Sequence, residues 1–184
     1  MISFKPKTTL NTMMPGMFNR YYSLYLALAA VIIFLDQLSK QWIVENLELH
    51  HAMPVLSMFS IVHARNYGAA FGFLNNAGGW QTVFFAVVAL GVSIVLLVWL
   101  KRIAAVERQL SLALALVLGG AIGNLIDRLQ YNYVIDFLAV HYNGWHFPAF
   151  NVADSAITIG AILLIMDSFG LKIITDRPKA PNAQ

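Results

Sequence analysis

The sequence predicts an all-α integral membrane protein with four transmembrane helices, a small extracytoplasmic β-cradle and loop segments. Of its 184 residues, 59% are apolar and only 11% are charged, and the mean hydropathy is +0.66. A soluble domain carries roughly a quarter charged residues. The chain is therefore too apolar for water, and we expect one membrane-embedded domain over residues 1–184.

Four apolar stretches are each close to the roughly 20 residues that a bilayer requires. They cover residues 22–44, 80–100, 110–126 and 152–174. Residues 1–20 form a polar N-terminal extension, which we expect to be loosely ordered. Lys5, Lys7 and Arg20 before an apolar run resemble a signal peptide, but the run continues through residues 31–35, where a cleaved peptide would turn polar. This favours an uncleaved first span.

The distribution of lysine and arginine predicts the orientation of the spans, because basic loops stay on the cytoplasmic side. One side carries Lys5, Lys7, Arg20, Lys101, Arg102, Arg108, Lys172, Arg177 and Lys179. The other side has only Lys40, Arg65 and Arg128 on or near it. Both termini are therefore expected in the cytoplasm, and residues 45–79 and 129–150 outside it. Residues 56–63 show an imperfect β alternation, which predicts the cradle.

Composition also excludes several classes of function. A net charge of +3 without a basic tract makes nucleic acid an unsuitable partner. The absence of cysteine excludes disulfides, thiolate metal sites and a cysteine nucleophile. The five histidines lack the His-Glu-x-x-His spacing, so the sequence gives little support to a zinc hydrolase.

Asp136 and Asp154 are the first candidates for chemistry, because a carboxylate at a membrane boundary is costly and usually functional. Asp136 lies in an apolar run without an adjacent cation, so desolvation is expected to raise its pKa. Asp154 lies in the first turn of the fourth span with Asn151 as its N-cap, where free amides stabilise the ionised form. If the two meet, they form an acid and base pair. A partly exposed loop carboxylate and an ordinary helix terminus remain the simpler readings.

The third span ends in a group of polar residues. Gly119 and Gly123 form a small-xxx-small pair that permits close approach of another helix. Asn124 and Asp127 lie about one turn apart on one face. Arg128 follows and is able to form a charged, hydrogen-bonded pair with a carboxylate, which predicts a pairing with Asp127. A structural clamp at the helix end is the simpler interpretation, and a catalytic role for Asp127 stays open.

In the first span, Asp36 and Lys40 are four residues apart and therefore share a helix face. An ion pair within the helix, near the outer boundary, is the simpler interpretation. The alternative is that Lys40 neutralises a substrate group or positions a loop.

Five segments together resemble the lipoprotein signal peptidase (signal peptidase II) family of bacterial inner membranes, over nearly the whole chain. They are Asp36-Gln37-Leu38-Ser39-Lys40, Asn66-Tyr67-Gly68-Ala69-Ala70-Phe71, the run of residues 119–128, Val134-Ile135-Asp136-Phe137 and Phe150-Asn151-Val152-Ala153-Asp154-Ser155. Each segment is weak evidence alone, whereas all five in this order are specific.

The resemblance implies a membrane aspartic endopeptidase that cleaves diacylglyceryl-modified prolipoproteins before the lipidated cysteine. It implies Asp136 and Asp154 as the catalytic pair, without a metal or organic cofactor. It implies inhibition by cyclic peptides such as globomycin. The expected surroundings are the membrane lipid of the inner membrane, and a monomer is expected. Substrate-binding or supporting roles fall to Asn66, Gly68, Asn124, Asp127, Arg128, Asn151, Asp36 and Lys40, and the segment around Asn66 and Gly68 is a candidate lid.

Two other readings remain open from the residues. A small proton-coupled membrane transporter would use an aspartate relay of Asp36, Asp127, Asp136 and Asp154, although such proteins usually show internal repeats, which this chain lacks. A metal-dependent lipid transferase would use aspartates as oxygen ligands, and insensitivity to chelators would exclude it. A membrane scaffold without activity would leave the cost of the buried polar residues unexplained.

Overall fold

The structure is a computed structural model that describes residues 15–68 and 78–178. Its helices are α1 (Pro15–Asn46), α2 (Trp80–Ile103), α3 (Arg108–Tyr131) and α4 (Val152–Ser168). Its strands are β1 (Ala52–Leu56), β2 (Phe59–Asn66), β3 (Val134–Tyr142) and β4 (Trp145–His146). Most of the predicted N-terminal extension and residues 69–77 lie outside the described residues.

Three helices within the described ranges are long and apolar enough to cross a membrane. They cover Arg20–Asn46, Trp80–Ile103 and Arg108–Tyr131, and they confirm the first three predicted spans as apolar helices. The helix α1 begins at Pro15, so part of the predicted extension is helical. A backbone helix continues past the last apolar residue because its hydrogen bonds do not require an apolar side chain. The helix α3 is the most buried and packs against each of the other three.

The fourth helix is shorter than predicted. The helix α4 has 17 residues and ends at Ser168, so the prediction of a span to residue 174 is wrong at its C-terminus. The reason is Gly170, which has φ of 72° and follows the C-cap. Its N–H donates to the Asp167 carbonyl at 2.9 Å, and the Leu171 N–H donates to the Met166 carbonyl at 2.9 Å. This pair of bonds is a Schellman motif, which stops a helix.

A four-stranded antiparallel sheet in the order β1-β2-β3-β4 confirms the predicted cradle and corrects the all-α fold class. The strand β2 pairs with β3, and Asn66 lies opposite Val134 while Ala64 lies opposite Asp136. The first four residues of β3, Val134 to Phe137, are all buried. The sheet therefore carries Asp136 into the interior and places Asn66 at its side.

The glycines of α3 allow the helices that hold the site to approach closely. A Cβ on Gly119 would lie 2.9 Å from Cβ of Ile32 in α1. A Cβ on Gly120 would lie 2.4 Å from the carbonyl oxygen of Ala153 in α4. These distances leave no room for a side chain, so α3 packs backbone to backbone against both neighbours.

Candidate active site

Asp136 lies on β3 and is 3% exposed. Both of its carboxyl oxygens accept a hydrogen bond from an amide. The Asn66 side chain donates from Nδ2 to Oδ2 at 3.0 Å, and the Asn151 side chain donates from Nδ2 to Oδ1 at 2.8 Å. Asn66 comes from β2, and Asn151 comes from the N-cap of α4, so two separate elements hold this carboxyl group.

Asp154 lies in the first turn of α4, where the predicted cap is confirmed. The Asn151 side chain accepts from the backbone N–H of Asp154 through Oδ1 at 2.8 Å. The Asn124 side chain of α3 donates from Nδ2 to Oδ1 of Asp154 at 2.7 Å. Burial of this carboxyl group opposes the stabilisation that the helix terminus gives to its ionised form, so the terminus alone does not set its charge.

Asn124 and Asn151 connect the two aspartates. The Asn151 side chain donates from Nδ2 to Oδ1 of Asn124 at 3.2 Å, so one pair of amides touches both carboxyl groups. Both aspartates also line one cavity of about 640 Å³. Its other lining residues are Ala64, Arg65, Asn66, Asn124, Arg128, Val134, Phe147, Pro148, Ala149, Phe150, Ser155, Ile157, Thr158 and Ile159.

The environment raises the pKa of Asp136 to about 7, which confirms the predicted direction. Burial is the largest cause, and the nearby negative charge of Asp154 adds to it. Hydrogen bonds from Asn66 and Asn151 and the positive charge of Lys40 act in the opposite direction. Asp136 is thus able to hold a proton near neutral pH.

A second group of buried carboxylates lies directly behind this cavity. Lys40 is 1% exposed, and its Nζ lies 2.8 Å from Asp36 and 2.9 Å from Asp127. The predicted pair within α1 is therefore confirmed and is extended by a carboxylate from α3. The third contact of the ammonium group is a hydrogen bond of 2.9 Å to Oδ1 of Asn124.

Both carboxylates also accept hydrogen bonds from neutral donors. The Gln37 side chain donates to Oδ1 of Asp127 at 2.8 Å, and the Ile135 backbone N–H donates to its Oδ2 at 3.0 Å. The Ala153 backbone N–H donates to Oδ1 of Asp36 at 2.9 Å. Asp127 thereby fixes the start of β3 and Asp36 fixes the start of α4, the two elements that carry Asp136 and Asp154.

Arg128 does not pair with Asp127, so that part of the sequence interpretation is wrong. Adjacent residues on a helix do not face each other. The Arg128 guanidinium instead donates to the backbone carbonyls of Gly68 at 2.9 Å and Asn124 at 3.2 Å. It also lies 5.5 Å from the centre of the Phe85 ring. Arg128 therefore joins α2, α3 and the segment after β2 at the wall of the cavity.

The Asn66 side chain also shapes the segment that follows β2. Its Oδ1 accepts from the Gly68 backbone N–H at 3.0 Å while its Nδ2 holds Asp136. Such a bond from a side chain to the backbone two residues on is an Asx-turn. Gly68 is therefore held beside Asp136 by the side chain of Asn66. The part of the candidate lid that follows Gly68 lies outside the described residues.

Sequence reasoning assigned no role to several residues that the fold brings to the site. Gln37 bridges α1 and α3 by also donating to the Gly123 carbonyl at 3.2 Å. Ser155 and Thr158 line the cavity one and four residues after Asp154, on α4. For Thr158, the spacing of four residues from Asp154 was the available signal. Residues 147–150 carried no sequence signal of a role at the site beyond their aromatic character. Their contact with the cavity depends on how the chain returns from β4.

The fold and the site together define a multi-pass membrane protein with two aspartates that line one cavity. The family model of signal peptidase (SPase) II matches residues 28–170, and the chain belongs to this family. The predicted activity, an aspartic signal peptidase that cleaves the signal peptides of prolipoproteins, is confirmed by this membership.

Similar proteins agree with this assignment. The lipoprotein signal peptidase of Shewanella halifaxensis (strain HAW-EB4) is 55% identical over 140 residues, which are 76% of this chain and 82% of that protein. The lipoprotein signal peptidase of Shewanella amazonensis (strain ATCC BAA-1098 / SB2B) is 54% identical over 140 residues, 76% of this chain and 83% of that protein. A bacterial membrane enzyme solved by the in meso method at 2.3 Å resolution has a TM-score of 0.72 and 28% identity, covering 86% of this chain and 95% of its own.

Proposed function

We propose that Asp136 and Asp154 are the catalytic pair and that the substrates are diacylglyceryl-modified prolipoproteins, cleaved immediately before the lipidated cysteine. The observation that carries this proposal is the shared cavity, in which two aspartates are held by side-chain amides and are open to a ligand. Among the described residues, neither aspartate forms an ion pair with a lysine, arginine or histidine.

The proposed reaction is general acid and base catalysis by the pair. The ionised aspartate takes a proton from a water molecule, which attacks the scissile carbonyl. The protonated aspartate donates a hydrogen bond to the carbonyl oxygen and later supplies a proton to the leaving amine. A pKa of about 7 suits Asp136 to the protonated role and leaves Asp154 as the base. No metal or organic cofactor is required for this chemistry.

The cavity suits a substrate that is part lipid and part peptide. Polar groups stand at its aspartate end, and the apolar side chains of Phe150, Ile157 and Ile159 extend it along α4. Ile159 is 53% exposed, so this wall continues onto the surface of the helix that faces lipid. The peptide bond is expected to lie across the aspartates while the acyl chains remain against the apolar wall and the surrounding lipid.

The proposed setting is the bacterial inner membrane, with both termini in the cytoplasm and the site on the outer, periplasmic side. The bias of basic residues supports this orientation. This orientation requires α4 to be the fourth span. Its 17 residues extend about 26 Å, slightly less than the roughly 30 Å thickness of the hydrocarbon core. Local thinning of the bilayer accommodates such a helix at modest cost. We further expect a monomer that binds cyclic peptides such as globomycin in the same cavity.

Cleavage of a lipidated precursor peptide by the purified protein in lipid tests the proposal. Asp136→Asn and Asp154→Asn are each expected to lower kcat by about 10⁴-fold, the scale seen when one member of a catalytic unit is removed. The matched control is Asp167→Asn, which changes an aspartate at the other end of α4 and should retain activity. Turnover by folded Asp136→Asn would show that the pair is wrongly assigned. Loss of activity on adding a chelator would favour metal chemistry.

A further inference from the structure

Lys40 is a charged residue that the proposed reaction does not use. Its side chain is almost completely buried and is not part of the cavity wall, so it does not meet the substrate. Its ammonium group has three N–H donors, and they contact Asp36, Asp127 and Oδ1 of Asn124. The first two contacts neutralise charge, whereas the third reaches the amide that holds Asp154.

The contact with Lys40 selects one of two orientations of the Asn124 amide. An ammonium group has only donors, so it must face the amide oxygen and not the NH₂ group. With Oδ1 turned to Lys40, Nδ2 is left facing Asp154, to which it donates at 2.7 Å. In the reverse orientation, the NH₂ group of Asn124 would face the Lys40 ammonium, which is also a donor. The amide oxygen would then face the Asp154 carboxylate, which is also an acceptor.

The same oxygen of Asn124 also receives a second hydrogen bond on the catalytic side. The Asn151 side chain donates to it at 3.2 Å and donates to Oδ1 of Asp136 at 2.8 Å. Lys40 is therefore separated from Asp154 by one amide and from Asp136 by one further amide. The Arg128 guanidinium contacts only the backbone carbonyl of Asn124, which does not orient the side chain.

We propose that Lys40 is a positioning residue for catalysis, which orients the Asn124 amide toward Asp154 and thereby sets the charge balance of the aspartate pair. This inference rests on the proposed function of Asp136 and Asp154. The charged groups around the network are Asp36 and Asp127 facing Lys40, and Arg65 and Arg128, which line the cavity beside the two aspartates. Removal of the ammonium group would leave the 3.2 Å bond from Asn151 as the remaining donor to Oδ1 of Asn124, which weakens the restraint on the amide, and would remove a positive charge from behind the pair.

The primary test is Lys40→Met, assayed for kcat, KM and the pH dependence of cleavage. We expect kcat to fall at least tenfold with KM within about twofold, because the substrate does not touch Lys40. The positive charge of Lys40 lowers the pKa of Asp136, so its removal should move the pH profile to higher pH, by about one unit. Gln41→Met is the matched control on the exposed face of α1 and should change none of these.

A double-mutant cycle with Asn124→Ala separates positioning from a purely structural role. If Lys40 acts through Asn124, then Lys40→Met should lower kcat less than threefold in the Asn124→Ala background. The inference would be overturned if the double variant lost kcat by the product of the two single-variant factors. An unshifted pH profile in Lys40→Met would overturn it as well. If Lys40→Met does not fold, the double variant Asp127→Asn with Lys40→Met leaves one unpaired carboxylate fewer. Its pH profile is then compared with that of the single variant Asp127→Asn.

The outcomes also distinguish this inference from the proposed function. Activity retained by Asp154→Asn would remove the catalytic pair itself and, with it, the basis for Lys40. An inactive Asp154→Asn together with an unshifted pH profile in Lys40→Met would remove only the role of Lys40.

Discussion

Two groups of aspartates lie on either side of Asn124, and they differ in the groups that contact each carboxylate. Asp36 and Asp127 contact the Lys40 ammonium directly and are closed to the cavity. Asp136 and Asp154 are held by neutral amides and line the cavity. Each carboxylate of the first group is ion-paired with Lys40 and accepts hydrogen bonds at both oxygens, whereas the second group retains a carboxyl group that exchanges a proton near neutral pH.

The difference shows why burial alone does not identify a catalytic aspartate. An ammonium partner supplies the opposite charge to a buried carboxylate, and breaking such a pair leaves an uncompensated buried charge. A neutral amide orients a carboxyl group without fixing its charge as strongly, so burial raises its pKa. The paired group is suited to hold helices and a strand in place, and the amide-bound group is suited to acid and base chemistry.

Asp127→Asn is expected to have the largest effect on stability. Every contact of the Asp127 carboxylate comes from a donor, so an NH₂ group in its place must face another donor and leave it unsatisfied. The free energy of unfolding should fall by about 3–5 kcal/mol. Denaturant unfolding in detergent measures this loss, with Asp136→Asn as the comparison. Equal stability of Asp127→Asn and the parent protein would contradict the distinction between the two groups.

The pH dependence of stability should report Asp136. Its folded pKa of about 7 lies above the ordinary value of 3.8, so the protonated form is favoured in the fold. Its contribution to stability is fully present below pH 3.8 and is lost as pH rises through 7. The loss is at most about 4 kcal/mol.

Asn at position 136 does not titrate, so Asp136→Asn should remove this part of the slope. Unfolding measured at intervals between pH 4 and 8 tests the expectation. A slope that persists unchanged in the variant would mean that another group is responsible.

Gly123→Ala should have a smaller effect, which acts on the ion-paired group. A Cβ there would lie 2.7 Å from Oδ2 of Asp36, the oxygen that contacts Lys40. Displacement of that carboxylate is expected to cost about 1–3 kcal/mol, in line with overpacking of a core. Thermal unfolding measures the loss, and Gly91→Ala in α2, where a Cβ meets nothing within 4 Å, is the control. A loss in the control as large as in Gly123→Ala would point to a general helix effect.

Local sequence patterns were sufficient for several features of the site. The cap of Asn151 on Asp154 and the Asp36–Lys40 pair depend on spacing of three or four residues, and both are present. The apolar surroundings of Asp136 were enough to predict the direction in which its pKa moves. The same local reasoning paired Asp127 with Arg128 wrongly, because the true partner, Lys40, lies on another helix.

By itself, the sequence determined the membrane class, the first three spans and the family, and it singled out the two aspartates that are proposed for catalysis, because composition, periodicity and short motifs are local properties of a chain. Only the tertiary structure decided which carboxylates face a cation and which face a cavity. That choice depends on close packing of α3 at Gly119 and Gly120 and on the register of β2 with β3. These contacts join residues far apart in the chain, and their geometry is set by the whole fold and not by any local pattern.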